Sequence, residues 1–378
     1  MTDGKITSAW HTMGGNNSRA GRAACAFTLA PKAAGQRRAE GRIKASPVFS
    51  DDGVMFIADM TGLVLAFPPE DKPLWEKRLD AGIFATPAVG DGVLYTATTS
   101  GRVYALNAAG GDEIWNVQIP SPDDPRILSD LLLLPQFSLL IASSWGKRFA
   151  ALDAQNGQER FSWNAGTNPY SAASTDASGA IYSLRAEWSQ SGPNGTRLVR
   201  VEPQTGKESS LFFDEIMDQS ATIHSVAAAP VIDDERKTVW FVTLSGRDSM
   251  LRSLSLETGK EQVRLPFQGR ITAPPAILPD GGITVADMRG VIHNFDNGGE
   301  RRYRYDTGAD YLLSGPVCDA EGNIFVGDVA SCVHAISPQG VGAIVFETDR
   351  SIEARPAFDP SGRLIVPAAD GTIYSFSA

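Results

Sequence analysis

Residues 85–117 read ATPAVGDGVLYTATTSGRVYALNAAGGDEIWNV, and this pattern recurs along the chain. Four short runs within it carry alternating apolar residues: TPAV, VLYTAT, RVYAL and EIWNV. Gly-Asp-Gly, Ser-Gly and Gly-Gly separate these runs. Alternating runs bounded by Gly and Asp are typical of strands joined by tight turns. The stretch therefore predicts one four-stranded antiparallel sheet.

Copies of the pattern follow one another about every 40 residues. Besides the copy at Ala85, they begin at Ala45, Ser129, Ser171, Ala228, Ala273, Ser314 and Ala354. The last copy ends at Ala378 after three strands, and residues 33–41 stand where the missing fourth strand would be. A ring closed in this way has no free edge. We therefore predict an all-β, eight-bladed β-propeller of four-stranded blades, closed by an N-terminal strand that completes the last blade.

The chain is expected to have two parts: residues 1–32, a lead segment that packs on the ring, and residues 33–378, a single propeller. Residues 1–44 contain eight Lys and Arg against Asp3 and Glu40, whereas the whole chain has a net charge of −10. Two interpretations of this basic segment stay open: it folds back onto an acidic ring, or it binds an acidic partner.

Several stretches resemble the tryptophan-docking repeat of quinoprotein (PQQ) dehydrogenase-like propellers, A-x-D-x-x-T-G-x-x-x-W. Residues 105–115 (ALNAAGGDEIW) match it best, residues 151–161 match more weakly, and 205–206 and 258–259 keep its Thr-Gly turn. The opening at 10–21 is similar to the N-terminal lead of such propellers. The resemblance implies a propeller over nearly the whole chain, most like the family's non-catalytic scaffolds of outer-membrane assembly.

Catalytic members of that family hold a quinone against a ring formed by adjacent cysteines, with Ca²⁺ bound by carboxylate and amide oxygens. This chain has Cys25, Cys318 and Cys332 and no adjacent pair. We therefore expect no cofactor. Cys318, Cys332 and His334 could be soft metal ligands, but each also fits a buried structural position, so we expect no metal.

The composition excludes several classes of protein. A net charge of −10 argues against a duplex nucleic-acid binder. No run of about 20 apolar residues is present, so no membrane span is expected. The first 25 residues lack the apolar core of a signal peptide. We therefore expect a cytoplasmic monomer, or a periplasmic protein if a signal segment has been removed.

Loops sort by face in a propeller because strand direction alternates within each blade. The linkers from outer to innermost strands share one face with the turns between second and third strands. Three long stretches, 119–126, 187–196 and 213–225, fall on this face. Elaborated loops on one face are typical of a working surface. Trp188 in the second stretch is a candidate aromatic anchor for a partner.

The innermost strands begin on the same face and supply a candidate ligand site in a central funnel. Residues two apart on a strand point the same way, so each strand offers one residue to an outer ring and one to an inner ring. The predicted ligand-binding residues are Lys44, Phe84, Asp130, Tyr170, Trp188, His224, Arg270, Tyr311, Glu353 and Arg355. A competing interpretation is that the charged members pair with one another across a water-filled channel.

We predict a non-redox binding module, in its strongest form a protein- or peptide-binding scaffold that uses the loop-rich face. The alternative is a biosynthetic enzyme, a cyclase or lyase, that acts on a small molecule in the funnel. Its acid and base would come from Tyr170, His224 or Tyr311 paired with Asp130 or Glu353. A quinone-dependent dehydrogenase ranks third. The scaffold hypothesis predicts a plugged channel and an apolar rim. The enzyme hypothesis predicts an open funnel with converging titratable groups.

Overall fold

The computed structural model describes residues 10–69, 72–121, 123–166, 171–187, 194–215, 228–245 and 248–378. Within these ranges, 32 strands form eight four-stranded antiparallel sheets. Innermost strands of successive sheets contact one another around a central axis. The predicted eight-bladed propeller is confirmed.

The first strand, β1 (Lys32–Arg38), precedes blade 1. Blades 1 to 4, each given from the innermost strand outward, are β2 (Val48–Phe49), β3 (Met55–Ala58), β4 (Leu63–Phe67), β5 (Trp75–Arg78); β6 (Ala88–Gly90), β7 (Val93–Ala97), β8 (Arg102–Asn107), β9 (Glu113–Gln118); β10 (Leu132–Leu134), β11 (Leu139–Ser144), β12 (Arg148–Asp153), β13 (Glu159–Asn164); and β14 (Ser174–Thr175), β15 (Ile181–Glu187), β16 (Gly195–Val201), β17 (Glu208–Glu215). A short 3₁₀ helix, Pro135–Phe137, joins β10 to β11.

Blades 5 to 8 continue the same order. They are β18 (Val231–Asp233), β19 (Thr238–Ser245), β20 (Asp248–Ser255), β21 (Glu261–Phe267); β22 (Ala276–Ile277), β23 (Ile283–Ala286), β24 (Val291–Phe295), β25 (Arg301–Asp306); β26 (Val317–Cys318), β27 (Ile324–Gly327), β28 (Cys332–Ile336), β29 (Gly342–Glu347); and β30 (Ala357–Phe358), β31 (Leu364–Pro367), β32 (Thr372–Ser377) with β1.

The ring is closed by β1, which supplies the outermost strand of blade 8. It pairs antiparallel with β32 from Lys32 opposite Ser377 to Arg38 opposite Thr372. The sheet order β1–β32–β31–β30 joins the first strand of the chain to the last three in one blade. This is the closure that the repeat count predicts, and it covers the edge of β32 that would otherwise be free.

The apolar core lies between neighbouring blades. One cluster combines Val48, Phe56 and Val64 of blade 1 with Leu94 and Leu106 of blade 2. Inner strands are buried along their length, whereas the outer β9 buries only Trp115 among six residues. Both faces of each inner strand are covered because a blade lies on each side.

Tryptophans on outer strands connect blade 1 to blade 2 and blade 2 to blade 3, as the docking repeat implies. Trp75 Nε1 donates to the Ala108 carbonyl at 2.9 Å, and Trp115 Nε1 donates to the Ala154 carbonyl at 3.0 Å. Each of these indole rings lies against a glycine in a turn of the next blade. At Gly157, with φ +74°, a Cβ atom would stand 2.7 Å from the Trp115 ring. Glycine is therefore required there for both backbone conformation and space.

Residues 10–27, hereafter the lead, bind the innermost strands of seven blades in succession. Thr12 Oγ1 donates to the Leu131 carbonyl of blade 3 at 2.9 Å. The other blades donate backbone N–H groups to the lead: Phe49 to Trp10, Val89 to His11, Thr175 to Asn17, Ile232 to Ser18, Ile277 to Ala20 and Cys318 to Gly21. Each of these donors is the last or the next-to-last residue of its innermost strand, so the lead lies across the channel near the end opposite the strand starts.

Candidate functional site

The central channel forms a funnel of about 570 Å³ at the face where the innermost strands begin. We call this the funnel face. The outer ring of the lining consists of Lys44, Phe84, Leu128, Thr272, Leu313 and Glu353. The inner ring consists of Ser46, Thr86, Asp130, Ala172, Ala229, Pro274, Gly315 and Arg355. The outer-ring residues stand four positions, and the inner-ring residues two positions, before the first residue of each innermost strand.

The structure brings together six of the ten predicted ligand-binding residues. They are Lys44, Phe84, Asp130, Arg270, Glu353 and Arg355. Tyr311 is 52% exposed and does not belong to the funnel lining. Tyr170, Trp188 and His224 lie outside the described residues.

Sequence reasoning missed two methionines of the lining, Met13 and Met288. Met288 stands in the turn between β23 and β24, within ADMRG, and Met60 stands in the corresponding ADMTG turn of blade 1. This shared motif on the funnel face could have identified Met288. Met13 belongs to the lead, whose path has no periodic signal.

Parts of the predicted loops are strand. β15 continues to Glu187, β16 begins at Gly195 and β17 continues to Glu215, with Gly195 paired to Glu215. These strands are longer than the repeat predicts because their pairing extends toward the funnel face. The remainders, 188–193 and 216–227, lie outside the described residues.

Two cations hold Glu353 in the funnel wall. Its carboxylate pairs with the Lys44 ammonium and with Arg42, whose Nε is 3.1 Å from Oε2. The Lys44 ammonium also lies 5.9 Å from the Phe84 ring centroid. Burial acts to raise the pKa of Glu353, but the hydrogen bonds from Arg42 and Lys44 outweigh it and lower the pKa overall. Glu353 is therefore a carboxylate at neutral pH.

Replacing Glu353 with glutamine is expected to lower the free energy of unfolding by about 2 kcal/mol at about pH 7, the usual contribution of hydrogen bonds to a charged group. Because the pKa of Glu353 is lowered in the folded state, its stabilisation is present above the unfolded-state pKa and is lost as the pH falls through the folded value. Urea titrations of both proteins at about pH 7 and about pH 3 should show the difference shrinking in acid.

The matched control is Glu347→Gln, since Glu347 is exposed on β29. That variant should leave stability nearly unchanged at both pH values. A Glu353→Gln penalty that is equal in acid and at neutral pH would contradict the ion-pair account.

Arg355 forms the floor of the funnel, and Arg19 is a second buried arginine close to it. Arg355 donates through Nε and Nη2 to the Pro316 carbonyl, at 3.0 and 2.7 Å, and through Nη2 to Pro275 at 2.9 Å. Arg19 lies beneath it in the lead and is completely buried. Burial lowers the pKa of both guanidinium groups to about 10, so both keep their charge at neutral pH. Neither forms a salt bridge within the described part of the chain.

The other lining carboxylate, Asp130, accepts a hydrogen bond that links two blades. Its Oδ1 accepts the Thr86 N–H at 2.7 Å, which joins the start of blade 3 to blade 2. Tyr311 makes no hydrogen bond to Asp130 or Glu353 in the described residues. The structure therefore does not assemble the predicted pairs of Tyr311 with either carboxylate.

The predicted soft-ligand set does not converge. The Cys318 thiol contacts the Ile277 carbonyl at 3.2 Å, and burial raises the pKa of Cys318 to about 12. His334 is held between Asp328 and Tyr305, at 2.8 and 3.1 Å. Among the described residues, no three His, Cys, Asp or Glu side chains could together hold a metal ion. Within the described ranges, neither adjacent cysteines nor a cluster of three such ligands is available for the quinone–calcium arrangement of the catalytic propellers.

A sequence profile described as outer membrane protein assembly factor BamB matches residues 14–180 and, in a second match, residues 62–296. The chain belongs to this family. Outer membrane protein assembly factor BamB of Bordetella pertussis is 24% identical over 279 residues, which is 72% of this chain and 68% of that protein.

Solved structures agree on the fold. The crystal structure of BamB from Moraxella catarrhalis is 17% identical, with a TM-score of 0.75 over 92% of this chain and 100% of that chain. Quinohemoprotein alcohol dehydrogenase from Comamonas testosteroni is 14% identical, with a TM-score of 0.78 over 99% of this chain and 81% of that chain. A BamB protein and an alcohol dehydrogenase have similar TM-scores, so these likenesses support the propeller fold alone.

The expectation of a cytoplasmic protein is wrong. The BamB family and its Bordetella pertussis member are named for outer membrane protein assembly, which points to the outer membrane. Nothing in the propeller's strand pattern encodes its location, because the same core packing serves in any aqueous compartment. No helix in the ranges that the structure describes is long and apolar enough to cross a bilayer.

Proposed function

We propose that the protein is a non-catalytic scaffold that binds a protein partner at the outer membrane through its funnel face. The observation that carries this proposal is an apolar rim around the funnel. Met60, Tyr311 and Leu313 are 37%, 52% and 39% exposed. Exposed apolar side chains around a concavity are typical of protein-binding surfaces.

The rim residues lie on the funnel face in two places, blade 1 and the linker between blades 6 and 7. Met60 lies in the turn after β3, and its N–H donates to the Arg42 carbonyl beside Glu353. Tyr311 and Leu313 lie in the linker from β25 to β26, with Leu313 also lining the funnel. A partner seated on the rim would therefore contact the funnel as well.

The funnel's polar groups support binding over catalysis. Glu353 is held by two cations, Asp130 by a backbone N–H, and Arg355 by backbone carbonyls. A general acid or base needs a group free to exchange protons with substrate. The lead closes one channel end, as the scaffold hypothesis predicts, whereas the funnel stays open at the other end, as the enzyme hypothesis predicts. No contact among the described residues specifically favours the cyclase or lyase alternative.

The family supplies the class of partner. Its relatives are named outer membrane protein assembly factors, so the proposed partner is a protein that takes part in that assembly. The outward apolar rim suits a protein that acts through contacts with other proteins.

A double variant tests this proposal. Met60→Asp with Leu313→Asp places two charges in the rim and is expected to lower assembly of outer membrane proteins at least tenfold, because a desolvated charge opposes docking. The measurement is the level of outer membrane proteins in cells that depend on the variant as their only copy.

The control is Ile114→Asp with Val341→Asp, at two exposed apolar positions on outer strands and turns. It should support normal assembly. Wild-type assembly by the rim variant, with equal protein levels and melting temperatures in all strains, would contradict the proposal.

A further inference from the structure

Positive charge dominates the funnel, although the chain as a whole has a net charge of −10. The lining contains Lys44, Arg270 and Arg355 against Asp130 and Glu353. Two more cations adjoin them: Arg42 pairs with Glu353, and Arg19 donates to the Asp130 carbonyl. A concave site with low-dielectric walls focuses such a field, so the funnel favours an anion.

Two of these cations have donor capacity that the described residues do not use. Within the described ranges Arg270 forms no salt bridge, and its Nε is buried without a hydrogen-bond partner. Nη1 of Arg355 has only the thioether of Met13 at 3.4 Å, which is a weak acceptor. Unmade hydrogen bonds of buried donors cost free energy. An anionic oxygen in the funnel would supply the missing acceptors.

The side chains of the funnel wall indicate what kind of group would present the anion. Phe84, Leu128, Met288 and Leu313 give the funnel apolar sides above its charged floor. Leu313 belongs both to this wall and to the exposed rim. The lead closes the far end, so an occupant enters from the funnel face and stops at Arg355. A carboxylate on an apolar segment matches this arrangement.

We propose that the funnel binds an aspartate or glutamate side chain of the partner protein, presented between apolar residues, with Arg270 and Arg355 as its cationic donors. This proposal rests on the proposed function and adds the chemistry of the partner's contact segment. Guanidinium groups bind carboxylates with charge-assisted hydrogen bonds, which are about twice as strong as neutral ones.

Two peptides test the proposal by fluorescence anisotropy with the full chain. One is a fluorescein-labelled, capped peptide of alternating leucine and glutamate, and the other has glutamine in place of glutamate. The glutamate peptide should bind at least about tenfold more tightly, the effect of one charge-assisted contact. Arg270→Gln should remove this preference and leave binding of the glutamine peptide unchanged.

The matched control is Arg38→Gln, an exposed arginine on β1 away from the funnel. It should retain the full preference for glutamate. Arg270 makes no hydrogen bond through its buried Nε, so Arg270→Gln should keep the wild-type melting temperature. Acetate or phosphate alone should compete only at concentrations far above the peptide, since these ions lack the apolar contacts.

Four results would overturn the funnel proposal: equal affinity for the two peptides, no binding of either at millimolar concentration, an unchanged preference in Arg270→Gln, or competition by free anions as strong as by the peptide. The rim variant separates this failure from failure of the scaffold. If the rim variant lowers assembly while the peptides show no preference, the scaffold stands without the carboxylate site. If the glutamate peptide is preferred while the rim variant assembles outer membrane proteins normally, the carboxylate site stands and the rim proposal fails.

Discussion

Replacing Trp115 with alanine is expected to lower the free energy of unfolding by about 3–5 kcal/mol, the usual cost of removing a large buried aromatic side chain. Trp115 is 9% exposed and lies in the cluster between blades 2 and 3. Its indole donates to the Ala154 carbonyl at 3.0 Å, and its ring lies 6.0 Å from that of Tyr95. Truncation leaves both a cavity and a weaker connection between two blades. Denaturation in guanidinium chloride measures the change.

The neighbouring Ile114 provides the control, because it is on the same strand and is 49% exposed. Ile114→Ala should change the free energy of unfolding by about 0.5 kcal/mol or less, as surface substitutions usually do. A Trp115→Ala cost below about 1 kcal/mol would show that the docking tryptophan does not hold the blades together.

Replacing Arg19 with methionine is expected to lower the free energy of unfolding by about 3 kcal/mol, because several buried carbonyls lose the charged donor that satisfied them. Its guanidinium donates to the carbonyls of Ala173 at 2.6 Å, Leu131 at 3.1 Å, and Met13 and Asp130 at 3.3 Å. These bonds join the lead to blades 3 and 4. Methionine fills similar volume but leaves the carbonyls without a donor in the protein interior.

Arg38→Met makes the same substitution at an exposed site on β1 and should leave stability within about 0.5 kcal/mol of wild type. Thermal and chemical denaturation of the two variants therefore separate the effect of removing a buried group from the effect of losing a positive charge. Equal stability of Arg19→Met and wild type would mean that the lead does not contribute to the ring.

The sequence predicts the ring because its strands repeat a local signal. Each copy carries alternating apolar residues and Gly-containing turns, and the deficit of one strand after Ala378 locates the closing strand near Lys32. The funnel lining was predictable for the same reason. The repeat places Lys44 and Ser46 four and two positions before the innermost strand of blade 1, and the same offsets give the other ring residues.

The path of the lead could not be predicted, because its contacts follow no period. Asn17, Ser18 and Ala20 bond to blades 4, 5 and 6 through backbone groups that any residue possesses. Arg19 is similarly unremarkable in the sequence, since an arginine in a basic segment is usually solvated. Only the folded chain shows that it donates to four carbonyls.

Pairing inside the funnel was predictable only in part. The competing interpretation of mutual pairing holds for Lys44 and Glu353, whereas Arg355 and Asp130 bind backbone groups instead. Side-chain partners depend on depth within the channel, which the repeat pattern does not record.

Site-specific photo-crosslinking in intact cells tests the central claim, that the funnel face binds the partner. A photoreactive residue is placed at Met60 or Tyr311 on the rim, or at Ile114 or Val341 on the outer surface. The account predicts a crosslink from both rim positions to the same protein of outer membrane assembly, and none from the outer positions. Crosslinks from the outer positions alone, or no crosslink from the rim, would contradict it.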